Sequence, residues 1–165
     1  MKTAIKNKGY TLIELLVAMT IGITVFTVGF AGYRDFSRRQ TLGGITKRIK
    51  TDLRTAQQLA TSGQKPSGVT CTRLVSYDFD RINSYRYQII AVCDNSGTLT
   101  RNTVKDVDLS TSVSFTSSAT GLDVADPISF KVLGQGTNLI SDVTIAVTML
   151  SYTDNIIVGK GGDIK

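Results

Sequence analysis

Apolar residues are laid along this chain in three different patterns, and each predicts a different element. Residues 11–33 form a nearly unbroken apolar run in which Glu14 is the only charged side chain. About 20 helical residues suffice to cross the hydrocarbon of a bilayer, so this run predicts one transmembrane helix. Further on, Leu42, Ile45, Ile49, Leu53, Ala56 and Ala60 recur at spacings of three and four, while Lys47, Lys50 and Arg54 fall off that stripe. That pattern predicts an amphipathic continuation of the same helix, packed on a globular head. Gly63, followed by Pro66, supplies the stop. Gly43-Gly44 is the weak point, because each glycine loses on the order of 1 kcal/mol of helix propensity against alanine, and a bend or short break is expected there.

Beyond Gly63 the chain turns to Thr, Ser, Val, Ile and Tyr in short alternating runs, which predicts antiparallel sheet. Val143, Ile145, Val147 and Met149 alternate with Thr144, Ala146, Thr148 and Leu150, and residues 85–93 offer apolar groups to both faces, as a central strand does. Other strands are expected over 69–75, 99–107, 113–115, 128–132 and 156–158, with turns at Asn95-Ser96-Gly97, Asp126-Pro127 and Gly134-Gln135-Gly136. About a hundred residues of head hold one modest core and not two domains. The expected class is α+β: a long N-terminal α-helix, transmembrane in its first half and amphipathic in its second, packed on an antiparallel β-sheet head.

A carboxylate inside the apolar run needs a reason, since a charge at the centre of a membrane helix costs roughly 2.5–3.5 kcal/mol even on the lenient insertion scale. Glu14 closes the stretch Lys8-Gly9-Tyr10-Thr11-Leu12-Ile13-Glu14. A secretory signal would be cut after its apolar segment, whereas here the glycine precedes that segment. An ordinary signal anchor explains the hydrophobicity and Lys2, Lys6 and Lys8, but neither Glu14 nor the order of residues around it. The stretch resembles the class III signal of type IV pilins and pseudopilins, with a short basic leader, Gly before the cut, an aromatic residue after it and Glu as fifth residue of the mature chain. Tyr10 stands where that family usually has Phe and keeps the aromatic character. The resemblance implies a leader over 1–9 facing the cytoplasm and a prepilin peptidase that cuts between Gly9 and Tyr10 and methylates the new amine. It also implies that Glu14 directs assembly by pairing with the amine of an adjacent subunit. Segments then follow as 10–33 transmembrane helix, 34–62 amphipathic helix and 63–165 β-rich head.

Charge narrows the partners. The leader holds three of the nineteen basic residues, leaving sixteen against thirteen acidic ones. Seven basic residues and two aspartates lie between Arg34 and Arg54, but beyond Arg54 nine basic residues face ten acidic ones. The basic stretch suits lipid headgroups before assembly and acidic neighbours in a filament. The head itself lacks the basic surface that grips nucleic acid. Cys71 and Cys93 each fall in an expected strand, and outside the cytoplasm a disulfide is their expected state. A buried reduced pair is the alternative, as is a metal site, which lacks partners because the chain has no histidine. No cofactor and no catalysis are expected: a common general base is missing and the serines and threonines carry no nucleophile motif. Asp78-Phe79-Asp80 and Asp106-Val107-Asp108 offer oxygen ligands of the kind calcium prefers, but the bland reading, solvated loop or strand-edge carboxylates, is favoured. Residues 159–162 do not open a helix with Gly-Lys-Ser/Thr, so they are no phosphate loop.

The head narrows the resemblance. Ile128-Ser129-Phe130, Gly134-Gln135-Gly136, Val143-Thr144-Ile145-Ala146-Val147 and Gly161-Gly162-Asp163-Ile164-Lys165 look like the C-terminal half of FimT/GspH-type minor pilins and pseudopilins. The implied function is structural: a subunit of a type IV pilus or a type II secretion pseudopilus, inserted once in the inner membrane with its head outside the cytoplasm. Its implied partners are prepilin peptidase, other pilin or pseudopilin subunits and the inner-membrane assembly platform. The alternative is a DNA-binding minor pilin of a DNA-uptake pilus, in which Lys160 and Lys165 would be the contacts. Some relatives bind DNA through a Gly-Arg-x-Arg-like motif, but the matching Gly162, Asp163, Ile164 and Lys165 put an aspartate at the first arginine, which disfavours DNA as a partner.

Overall fold

The computed structural model describes residues 10–109, 113–118 and 127–165. Its first element is helix α1, Leu12–Ser62. The chain divides into two compact units, Met1–Arg39 and Gln40–Lys165, and α1 contributes to both. The helix runs through Gly43-Gly44 without the short break that the sequence allowed. The reason is packing, because Leu42, Thr46 and Ile49 on either side are buried in the second unit, and that burial outweighs the roughly 2 kcal/mol of lost propensity.

The helix stops as its sequence dictates. Gly63 takes a left-handed φ of 65°, its N–H donates to the Ala60 carbonyl at 3.0 Å, and the Gln64 N–H reaches back to the Leu59 carbonyl at 3.2 Å. These two bonds make a Schellman cap, which a glycine accommodates without Cβ strain. The buried Tyr77 fastens the exit by donating its hydroxyl to the Gln64 carbonyl at 2.7 Å.

Seven strands follow: β1 (Arg73–Asn83), β2 (Arg86–Asn95), β3 (Thr98–Asp108), β4 (Val113–Ser118), β5 (Ile128–Lys131), β6 (Val143–Met149) and β7 (Tyr152–Val158). They form two antiparallel sheets, one in the order β3-β2-β1-β5 and one in the order β4-β6-β7. As its two apolar faces predict, β2 is an interior strand. The β2–β3 hairpin turns on Ser96 and Gly97, both with positive φ, between the paired Asn95 and Thr98. That is the geometry whose twist matches flanking strands. Asp126, half of an expected turn, lies outside the described residues.

One hydrophobic cluster unites the second unit. Leu42, Ile49, Leu53, Ala56 and Ala60 of α1 join Tyr77, Phe79, Tyr87, Ile89 and Ala91 of the first sheet and Phe115, Ile145, Val147 and Ile156 of the second. Ile45 is only partly buried. Phe79 stacks on Tyr87 with centroids 4.8 Å apart, and Phe115 meets Tyr87 edge-on at 5.9 Å, which ties the two sheets through one ring.

The first strand departs from the sequence reading. Expected over 69–75, it begins at Arg73 and runs on to Asn83, so Cys71 lies before the strand and not in it. The alternation Ser76-Tyr77-Asp78-Phe79 is a strand pattern whose polar side is itself buried. Asp78 is neither a loop nor an edge carboxylate: β1 is paired on both sides, and its Oδ2 receives Arg101 at 3.1 Å while its Oδ1 accepts the Ser76 hydroxyl at 2.8 Å. Arg101 also holds Asp80 at 2.8 Å.

Candidate processing and assembly site

Thr11 starts α1 by capping it. Its hydroxyl accepts the backbone N–H of Glu14 at 3.3 Å and its carbonyl accepts that of Leu15 at 3.2 Å. Thr11-Leu12-Ile13-Glu14 has the spacing of a capping box, and Glu14 sits in the first turn, where the positive end of the helix dipole favours an anion. Thr-x-x-Glu ahead of an apolar run is the sequence signal for this helix start; here Thr11 caps the helix, and among the described residues no bond runs from the Glu14 carboxylate back to Thr11. Tyr10 is 82% exposed. Gly9 lies outside the described residues.

Downstream of the cap the helix is apolar on every side and bare. It is long and apolar enough to cross a membrane, and among the described residues none buries its most apolar window. The polar groups in this stretch are satisfied within the helix itself. Thr20 donates to the Val17 carbonyl at 2.9 Å, Thr24 to Ile21 at 2.8 Å and Thr27 to Ile23 at 2.7 Å. Such back-bonding suits surroundings that supply no water. The stretch ends in charge, with Arg34 5.9 Å from the centre of the Phe30 ring and Arg39 3.5 Å from Asp35.

Residues 5–30 match the family model of the prokaryotic N-terminal methylation motif. That motif supports a type IV pilin-like precursor, and it implies processing by a prepilin peptidase and assembly with other pilins. With the apolar helix it makes the N-terminal segment a membrane anchor. No curated protein and no solved structure matched the chain.

The remaining candidate residues lie in the second unit. Cys71 and Cys93 are joined by a disulfide that fastens the chain ahead of β1 to the neighbouring β2. Lys160 is exposed, and its backbone carbonyl accepts both the N–H and the hydroxyl of Thr137, at 3.2 and 2.8 Å. Lys165 pairs with Asp163 at 3.1 Å, and its backbone exchanges two bonds with Ile157. Gly162 has a φ of 94°, and a Cβ there would stand 2.8 Å from Gln57 Nε2, so this position holds the C-terminal turn close against α1. Lys160 and Lys165 therefore belong to a turn bonded into the head.

Sequence reasoning missed one buried group. Asp52, on the apolar stripe of α1 next to Leu53, is buried and accepts the Tyr87 hydroxyl at 2.7 Å and the Lys105 ammonium at 2.6 Å. Its position three residues after Ile49 was the available signal. Burial, then the bond to Asp52, pushes the Tyr87 hydroxyl pKa far above the usual tyrosine value. The aspartates of the second Asp-x-Asp are held by guanidinium: Arg86 binds Asp106 in a two-point pair and lies 3.6 Å from Asp108. Its hydrogen bond lowers the Asp106 pKa to about 2. Among the described residues, no three His, Cys, Asp or Glu side chains gather as a metal site.

Proposed function

We propose that this chain is a minor pilin or pseudopilin, a structural subunit and not an enzyme, of a type IV pilus or a type II secretion pseudopilus. The observation that carries the reading is the methylation motif over residues 5–30, set on a helix long and apolar enough to cross a membrane. In this reading the precursor crosses the inner membrane once with its head outside the cytoplasm. A prepilin peptidase cuts between Gly9 and Tyr10 and methylates Tyr10, and the assembly platform passes the helix into a bundle of like helices. Glu14 has no ion-pair partner among the described residues, and a carboxylate in a dry bundle is costly unless paired. The positive amine of a neighbouring subunit's Tyr10 supplies that pair. A disulfide-fastened head fits the oxidising side of the membrane. Duplex DNA is not among the partners, because Lys165 is neutralised by Asp163 and the acidic residues beyond Arg54 outnumber the basic ones.

The test is the intact mass and N-terminal sequence of the protein from sheared filaments. The expected mature chain begins at N-methylated Tyr10, and Gly9→Asp leaves the full-length precursor in the membrane. Filament material that still starts at Met1, or that starts downstream of Tyr33, overturns the reading.

A further inference from the structure

An open groove of about 510 Å³ lies at one end of the four-stranded sheet, where β1 outruns its neighbour. The pairing of β1 with β5 ends at Ser76 and Lys131, after which the chain leaves the sheet through the short 3-10 turn Val132–Gly134. Arg73 and Leu74 are therefore paired to β2 on one side only, and Val75 stands at a β-bulge in that ladder. Among the described residues no backbone bond fills their other side. A free strand edge of this kind is a template for another extended chain.

Three further observations make this edge a receptor rather than a gap. Cys71, two positions before Arg73, is tied to Cys93 of β2, so the start of the free edge is fastened to its one neighbour before anything binds. Leu133 stands at the groove 74% exposed, with φ 56° and ψ 32°, a left-handed conformation that a leucine rarely adopts. The fold thus spends backbone strain on presenting an apolar side chain to solvent, beside the partly buried Val132 and Val75. The charge in the lining has one sign: Lys65 and Arg73 are there, and no carboxylate is. Arg73 is already paired with Asp94, but Lys65 has no acidic partner among the described residues, and its ammonium is held in place by the Thr72 carbonyl at 2.6 Å.

We propose that this groove captures an extended acidic segment of another protein, which adds as a strand to residues 73–75, sets an apolar side chain on Leu133 and pairs a carboxylate with Lys65. All the residues involved lie in the second unit, so the proposal stands apart from the processing of the N-terminus and from the function read from it.

The experiment uses the full chain in detergent and two short labelled peptides, one alternating valine with aspartate and one alternating valine with lysine, at physiological salt. The aspartate peptide is expected to bind and the lysine peptide to bind at least about tenfold more weakly. Hydrogen exchange is expected to slow at residues 73–75 on binding, the mark of strand addition. Lys65→Glu should weaken the aspartate peptide about tenfold, and Leu133→Gly about fivefold. The glycine variant relieves the left-handed strain, so a loss of binding there cannot be put down to misfolding. The proposal is overturned if neither peptide binds, if both bind equally, if the variants bind like the parent chain, if residues 73–75 exchange as before, or if glutarate alone displaces the aspartate peptide at equal concentration.

Discussion

Asp52 and Tyr87 show at the residue scale how one polar pair is accommodated in a core built from apolar periodicity. The carboxylate is buried on the helix stripe, yet it receives a hydroxyl and an ammonium, so its desolvation is offset by two hydrogen bonds. The Tyr87 proton is held by the folded state more tightly than by the unfolded chain. Its contribution to stability is complete below the unfolded tyrosine value of about 10 and is lost as the pH rises beyond it, because only the unfolded chain then ionises. Urea unfolding should therefore show a midpoint that falls above about pH 10. Tyr77, raised by burial, adds to the same fall. Tyr87→Phe should lose about 1 kcal/mol at neutral pH, the worth of one hydrogen bond, and make the alkaline decline shallower. An alkaline slope unchanged in that variant would remove Tyr87 from the account.

At the scale of elements, α1 and β1 carry the lessons. A Cβ on either Gly43 or Gly44 would meet nothing within 4 Å, and both lie inside the helix. Gly43→Ala and Gly44→Ala should each raise stability by up to about 1 kcal/mol, read as a higher thermal midpoint. A fall in the midpoint would mean that the helix needs a flexible joint there after all. The disulfide fixes the start of β1, and closing a loop of 22 residues contributes about 3 kcal/mol in the chain-entropy estimate. Cys71→Ser should lower the unfolding free energy by about that much, and reductant should then have no further effect. Cys93→Ser is the worse test, because its side chain is fully buried and the added hydroxyl would be buried with it.

For the whole molecule, the two compact units match a division of labour in the proposed filament subunit. Glu14 belongs to the first unit, where its backbone N–H donates to the Thr11 hydroxyl and its carboxylate is exposed. Glu14→Leu should leave the unfolding midpoint of the head unchanged and should still allow cleavage before Tyr10. Entry into sheared filaments should fall about tenfold or more, the ratio that 1.4 kcal/mol of lost pairing gives. Normal incorporation would leave Glu14 only its favourable place in the first turn of the helix. Acid provides a separate check on the head: the Asp106 contribution is present above the usual carboxylate value of 3.8 and is lost as the pH falls towards about 2. Asp106→Asn should therefore blunt the acid side of the stability profile without touching the alkaline side.

What the sequence by itself determined is whatever is written in neighbouring residues. The apolar run, the stripe from Leu42 to Ala60, the glycine stop at Gly63 and the hairpin turn at Ser96-Gly97 are all local patterns, and the structure keeps each. The methylation motif over residues 5–30 is local too, since it is recognised from consecutive residues. Tertiary structure decided what depends on partners far along the chain. The order β3-β2-β1-β5 beside β4-β6-β7 chose Arg101 as the counter-ion of Asp78 and put Lys105 against Asp52, across separations of 23 and 53 residues. The same pairing made β1 longer and later than its own sequence suggested, and left residues 73–75 without a second neighbour because β5 is only four residues long. A strand's alternation fixes which side chains share a face, but which strand lies beside it is settled by the free energy of the whole sheet.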